Sequence, residues 1–504
     1  MKQSLFLILG TIVLSSCISS KYSKSIPETE FRGVWIATVV NIDWPKHPED
    51  PIAKKKKDFL AILDFYQNLN FNAAVVQIRT AGDAFYPTEL APWSRYLTGK
   101  EGEAYQGDEN PLEWMIAETH KRGMQFHAWL NPYRATFDLD TLSLAPNHDY
   151  YQHPDWMVRY GKKYYYNPGQ PEVREKFTAI VGELVDQYEL DGIHFDDYFY
   201  PYKIKGETFA DSLTYQKCWL PNQNLEDWRR SNVDSLVKQV HHAIKTRKPW
   251  VQFGISPFGV WKNKSTDPKG SDTRAGQTTY EDLYADPLLW MNEGWLDYIA
   301  PQAYWSMEYP AAGHRIITKW WSQTLPNANI YMGNGTYKIK NNKDKAWDKN
   351  QEIPKQIVNA RQDNNINGNI FFSAKSLMGK HKKVNRILDK VYATPSKNPT
   401  PSEPSARTLK PFELKEVNYD KEKVSYCLTH QDSIPSFALF YSVKENQGAK
   451  ENRTLLEKNY LSPNEMEYCF DQMIPKGYRK FKIGISIRDA YGNESPIQIL
   501  NPTP

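Results

Sequence analysis

The chain is short of net charge, of cysteine and of the usual cofactor signatures. Its 504 residues carry 63 basic and 59 acidic side chains, a formal charge of +4. So even a balance leaves no electrostatic footprint for nucleic acid. Four cysteines, Cys17, Cys218, Cys427 and Cys469, are too few for a disulfide scaffold. There is no H-E-x-x-H, no paired C-x-x-C and no phosphate-cradling glycine loop. His241 and His242 are adjacent on a helical stretch and so point apart. Gly254-Ile255-Ser256-Pro257-Phe258 is not a nucleophile elbow, because Phe258 stands where the second glycine belongs. These absences disfavour zinc, nucleotide and serine-hydrolase chemistry and predict a protein that uses no metal or cofactor.

Long apolar runs are scarce as well. The one candidate, residues 5–14 behind Lys2, is too short to span a bilayer and reads as an export signal. Leu14-Ser15-Ser16-Cys17 resembles a lipobox, in which Cys17 carries lipid and becomes the mature N-terminus. The expectation is a body held at a membrane surface outside the cytoplasm by residues 18–30 as a polar tether, probing no partner but its substrate and acting as a monomer.

What the chain has in excess is aromatic side chains, 14% of the total, with 16 Trp and 32 Tyr. Sugar faces stack on such rings, although a large core could equally have used them. From residue 31 the pattern alternates strand and helix eight times. Strands are expected near 31–39, 72–79, 125–130, 191–196, 251–256, 296–302, 330–332 and 369–373. Helices are expected near 53–68, 112–122, 172–188, 225–245, 281–292, 315–323, 353–363 and 376–391. That count predicts a (β/α)8 TIM barrel over residues 31–392. Prolines at 395, 399, 401 and 404 mark 393–410 as a semi-extended linker. Short β stretches then follow to residue 504, as in a small all-β sandwich similar to a fibronectin type III module. Cys427 and Cys469 lie in two of these stretches, placed either to pair or to stay buried thiols.

The barrel reading gives the stretch Asp191-Gly192-Ile193-His194-Phe195-Asp196-Asp197-Tyr198 its meaning. Polar groups at alternate positions of a buried strand are tolerable only if they face the barrel lumen and its open rim. Asp191 falls at the closed end and is read as structural. Asp196 and Asp197 would reach the rim as a pair of catalytic carboxylates, one ionised and one protonated. If Asp196 alone faces the cleft, Asp43, Asp83 or Glu308 would supply the second acid. Other strand ends offer substrate contacts: Arg79, His127, Asn131, His194 and Gln302 for hydroxyl and acetamido groups, with Asp43 beside them. Trp44, Trp129, Tyr198, Tyr304 and Trp305 would supply stacking faces. Either histidine could instead brace the carboxylates from below.

Five ordered motifs carry a family resemblance. They are Phe31-Arg32-Gly33-Val34-Trp35, Gln77-Ile78-Arg79, His127 to Arg134, Asp191 to Pro201, and Gly254 to Phe258. Together they resemble glycosyl-hydrolase-like family 10, bacterial envelope barrels that are often lipoproteins. The resemblance implies glycoside hydrolysis, with peptidoglycan strands stripped of their peptides as substrate. Tyr198 stands where chitinase-type barrels place an acidic Glu, which argues against a chitinase-style, acetamido-assisted route. The rival expectations are a glycan-binding protein without catalysis and a hydrolase of some other polysaccharide.

Overall fold

The computed structural model describes residues 26–219, 221, 223–324, 327–379, 381–401, 405, 407–420, 422–444, 452–474 and 482–501. The export signal and Cys17 lie outside them. Eight parallel strands close into a barrel: β1 (Phe31–Ile36), β2 (Ala73–Arg79), β3 (Gln125–Leu130), β4 (Gly192–Phe195), β5 (Gln252–Ile255), β6 (Tyr298–Ile299), β7 (Asn329–Asn334) and β8 (Gly368–Phe371). Each strand pairs with its sequence neighbours, and β8 closes on β1 through Phe31–Gly368 and Val34–Phe371. The expected (β/α)8 architecture is present.

Alternation sorts the strand residues into two packed layers. Phe31, Trp35, Val75, Trp129, Tyr298, Tyr331 and Ile370 fill the lumen. Phe31 stacks flat on Tyr331, with ring centroids 4.0 Å apart. Their neighbours Val34, Val76, Leu130, Ile193 and Phe195 face outward, into the layer shared with the helices. The helices Ile52–Gln67, Pro111–His120, Pro171–Gln187 and Leu225–Arg247 turn their apolar faces onto that layer.

Several elements differ from expectation for local reasons. The helix expected over 281–292 is two short pieces, Thr279–Asp282 and Pro287–Asn292. Tyr284 takes a positive φ of 51° between them, and Pro287, lacking an N–H, starts a helix more easily than it continues one. The helix expected over 376–391 is likewise broken, around Gly379 at φ 84°. The long loop after β3 contains an antiparallel hairpin, Met157–Tyr160 with Lys163–Tyr166.

Beyond the barrel, among the described residues, seven strands form two antiparallel sheets: β9 (Phe412–Asp420), β10 (Lys423–His430), β11 (Ser436–Lys444), β12 (Asn452–Leu461), β13 (Glu467–Met473), β14 (Lys482–Asp489) and β15 (Gln498–Ile499). One sheet runs β9-β10-β13 and the other β12-β11-β14-β15. Cys427 and Cys469 face each other across β10 and β13 and are disulfide-bonded.

The first part of the semi-extended linker is fixed against the barrel. Ser396, Lys397 and Asn398 are buried under the closed end of the barrel. Lys397 donates its N–H to the Glu28 carbonyl and accepts from the Glu30 N–H, each at 2.9 Å. Glu30 in turn pairs with Arg32 at 2.8 Å and Arg361 at 2.7 Å. The β module docks on the same end, where the Lys458 ammonium donates to Asn398 Oδ1 at 2.7 Å.

Candidate active site

Asp196 emerges one residue past the end of β4, at the open rim. It is 9% exposed. Its Oδ1 accepts from the Asp197 backbone N–H and from the Gln302 carboxamide, both at 2.9 Å. The same Gln302 nitrogen donates to the Ser256 carbonyl at 2.9 Å, so the ends of β4, β5 and β6 are tied together at the carboxylate. Among the described residues Asp196 has no ion-pair partner within 4 Å. Burial raises its pKa above the ordinary aspartate value, against the weaker opposing pull of these donors and of the nearby Arg134 charge. Asp197 is more deeply buried and accepts a short hydrogen bond from the Tyr202 hydroxyl. Burial, and then the charge of Asp196, push its pKa well above the carboxylate range. Two adjacent carboxyls in a site of low polarity hold one proton between them, and the more buried Asp197 keeps it.

Two groups of rings lie close to this pair, through Tyr202 and Tyr198 in one and Tyr304 in the other. Tyr198, Tyr202, Phe258 and Trp305 form a continuous edge-to-face series with centroid separations of 5.6, 6.4 and 5.5 Å. Trp35, Tyr304, Phe372 and Tyr337 form the other group, Tyr304 lying nearly parallel to Phe372 at 5.9 Å. Tyr202, Phe372 and Tyr337 were not singled out from sequence. Tyr202 follows Pro201 in the same aromatic run as Tyr198, and that run was the available signal. Phe372 and Tyr337 sit just past β8 and β7, with nothing local to distinguish them from core.

Other expected contacts are placed elsewhere, each for a visible reason. Trp44 packs between Phe59 and Phe85 beneath the first helix and donates its indole N–H to the Lys55 carbonyl. It offers no face to a sugar. Asp43 is buried with both oxygens occupied, by Ala37 N–H, Lys375 N–H and Ser373 Oγ, and clamps the β1 loop to the β8 loop. Arg79 is turned out of the lumen. A bulge in β2 shifts the register between Gln77 and Arg79, so Arg79 pairs with the outward-facing Leu130. Its guanidinium lies under the helix Pro171–Gln187, near Phe177. Trp129 donates to Asn131 Oδ1 at 3.2 Å, and Asn131, level with Asp196 but fully buried, donates to the Thr80 carbonyl at 3.0 Å.

His127 and His194 are fully buried and brace the site from below. Trp35 Nε1 can only donate, so His194 Nε2 (3.1 Å) accepts and its proton sits on Nδ1. That proton goes to Tyr298 Oη at 3.0 Å, which donates to His127 Nδ1 at 2.9 Å. Ser256 Oγ also reaches His194 Nε2, at 3.0 Å. Burial keeps both rings neutral, pushing His127 down to about 4 and His194 well below the ordinary imidazole value. Of the alternative acids, Asp83 accepts from Thr80 and Ala81 in its own turn, and Glu308 pairs with Arg315 on the surface. Neither meets Asp196.

The family model for Glycosyl hydrolase-like 10 matches residues 30–349. The chain belongs to this family. It is a glycoside hydrolase of barrel type, and the Asp196 rim lies inside the matched region. Among its relatives, "Glycosyl hydrolase YngK" of Bacillus subtilis (strain 168) is 39% identical over 498 residues, covering 97% of this chain and 96% of that protein. "Glycosyl hydrolase DigH" of Escherichia coli (strain K12) is 40% identical over 326 residues, 61% of this chain and 73% of that protein. Among solved structures, the PgaB (BpsB) glycoside hydrolase domain from Bordetella bronchiseptica aligns with a TM-score of 0.48 at 13% identity, over 72% of this chain and 99% of that domain.

Proposed function

We propose that this glycoside hydrolase cleaves the glycan strands of cell-wall peptidoglycan, acting on strands free of peptide. The observation that carries the reading is the Asp196–Asp197 pair at the barrel mouth, walled by two groups of aromatic rings. Glycosidic cleavage needs a carboxylate facing the oxocarbenium-like centre and a proton for the departing oxygen. Asp196, ionised and held by the Asp197 N–H and the Gln302 amide, takes the first role. Asp197 holds the proton. Tyr198, Tyr304 and Trp305 take the pyranose faces. Cys17 is read as the lipid anchor, which would set the barrel at the envelope where such strands occur. The β module is read as fibronectin type III-like, a reading its three-stranded and four-stranded antiparallel sheets support.

Incubation with peptide-free peptidoglycan, peptide-bearing peptidoglycan and a panel of other polysaccharides tests this. New reducing ends are expected from the peptide-free strands first. Release from another polysaccharide alone would move the substrate, and binding with no release would leave a glycan-binding barrel.

A further inference from the structure

Arg134 follows β3 and its charge reaches Asp196, yet among the described residues no carboxylate pairs with it directly. It is 6% exposed. Among the described residues no carboxylate oxygen comes within 4 Å of its guanidinium, and its Nε is buried without an acceptor. The guanidinium lies 4.3 Å over the Tyr198 ring, the ring that follows Asp197. Its charge acts on both Asp196 and Tyr198, and the Tyr198 hydroxyl also shares a hydrogen bond with it, so the unmet donor is Nε. A second cation stands beside it. The hairpin after β3 bridges to Arg134 through Tyr165, two residues from Lys163. Among the described residues Lys163 also has no carboxylate within 4 Å, and its ammonium lies 4.6 Å over the Phe137 ring. Burial and the Arg134 charge depress it to about 8.

The local charge therefore does not close. Arg134 acts on Asp196 and Lys163 senses Arg134, while Asp197 keeps its proton and Asp196 already has two hydrogen-bond donors on Oδ1. Leaving a buried guanidinium short of an acceptor is costly. The arrangement suits a ligand that brings its own anion, and a planar guanidinium favours a carboxylate that can take two N–H donors.

We infer that Arg134, supported by Lys163, is a specificity residue that binds a carboxylate on the sugar next to the scissile bond. This rests on the cell-wall reading above and extends it. N-acetylmuramic acid carries a lactyl carboxylate that is free only where no peptide is attached, because the peptide turns it into a neutral amide. Preference for peptide-free strands then follows from charge as well as from the smaller bulk of the substrate.

The test compares peptide-free glycan with the same glycan after methyl esterification of its carboxylates. The wild-type protein is expected to cleave the acid form with a kcat/KM about 10–100-fold above the ester, the range of a charge-assisted hydrogen bond. In Arg134→Gln that ratio should fall to within about threefold of one. Arg134→Lys should keep part of it, and Lys163→Gln, at a half-buried position, should reduce it less. A wild-type ratio near one, or a ratio unchanged in a folded Arg134→Gln, overturns the inference. Binding of N-acetylmuramic acid against its methyl ester, followed by tryptophan fluorescence, needs neither turnover nor a variant. If no cell-wall glycan is cleaved, the proposed function falls. Tighter binding of the acid would then still support Arg134 as a carboxylate site, and equal binding would remove it.

Discussion

Asp197 retains its proton at a cost to stability. Its folded pKa is raised by burial and by Asp196, whereas the unfolded chain releases that proton near the ordinary aspartate value. Stability contributed at low pH is therefore lost as pH rises from about 4 toward the folded pKa. Asp197→Asn removes this loss, so Tm at neutral pH should rise while turnover of natural glycan falls about 10²–10⁴-fold. Activity should be recovered on an aryl glycoside whose leaving group needs no proton. Equal losses on both substrates would end the proton-donor assignment. Two tryptophans separate support from contact in the same way. Trp44→Ala, in a packed core, should cost about 3–5 kcal/mol in urea denaturation with KM for glycan unchanged. Trp305→Ala should raise KM about fivefold or more, the scale of one lost stacking contact, with a smaller effect on stability. A KM effect from Trp44 would contradict its placement.

The strands explain which site residues could be read in advance. Period-two alternation correctly put His194 and Asp196 on the lumen side of β4, and the eightfold strand–helix rhythm gave the barrel. The same alternation misplaced Arg79, because the β2 bulge breaks the period and is set by pairing with β3, which the sequence of β2 alone does not show. The position of Trp44 is hidden for a related reason. An indole after a strand end can face the cleft or fold under the adjoining helix, and only Phe59 and Phe85 decide which. Arg134 was visible inside a motif, but its lack of a partner is a property of the assembled loops. Strand packing also yields a test. Gly254 on β5 leaves room for the Tyr298 ring, which a Cβ there would overlap. Gly254→Ala should destabilise the protein by about 1–3 kcal/mol or more and disturb the Tyr298–His194 hydrogen bond. An unchanged denaturation midpoint would mean the lumen is less tightly filled than described.

At the scale of the whole molecule, the β module packs on the closed end of the barrel while the proposed chemistry occupies the open one. Asn398 donates to Gln125 Oε1 at 2.9 Å and accepts from Lys458, so linker, barrel floor and module share one buried hydrogen-bond network. The His120 ring stacks on Tyr460 at 3.7 Å, and Glu189 accepts from Tyr460 and Ser462. Burial pushes Lys458 down to about 7, with Arg488 and Arg32 acting in the same direction and Asp191 against them. A lysine depressed in the fold stabilises fully above its unfolded pKa of about 10.4, and that contribution is lost as pH falls toward 7. Tm should therefore climb between about pH 7 and 10 through this group, and Lys458→Met should flatten the climb in a thermal-melt series. The whole arrangement exists to hold one carboxylate at the rim above a neutral, braced floor. Its most direct test is the rate of glycan cleavage by Asp196→Asn beside the wild-type protein. The account predicts a fall of about 10³-fold or more with Tm nearly unchanged, and near wild-type cleavage by this variant would contradict it.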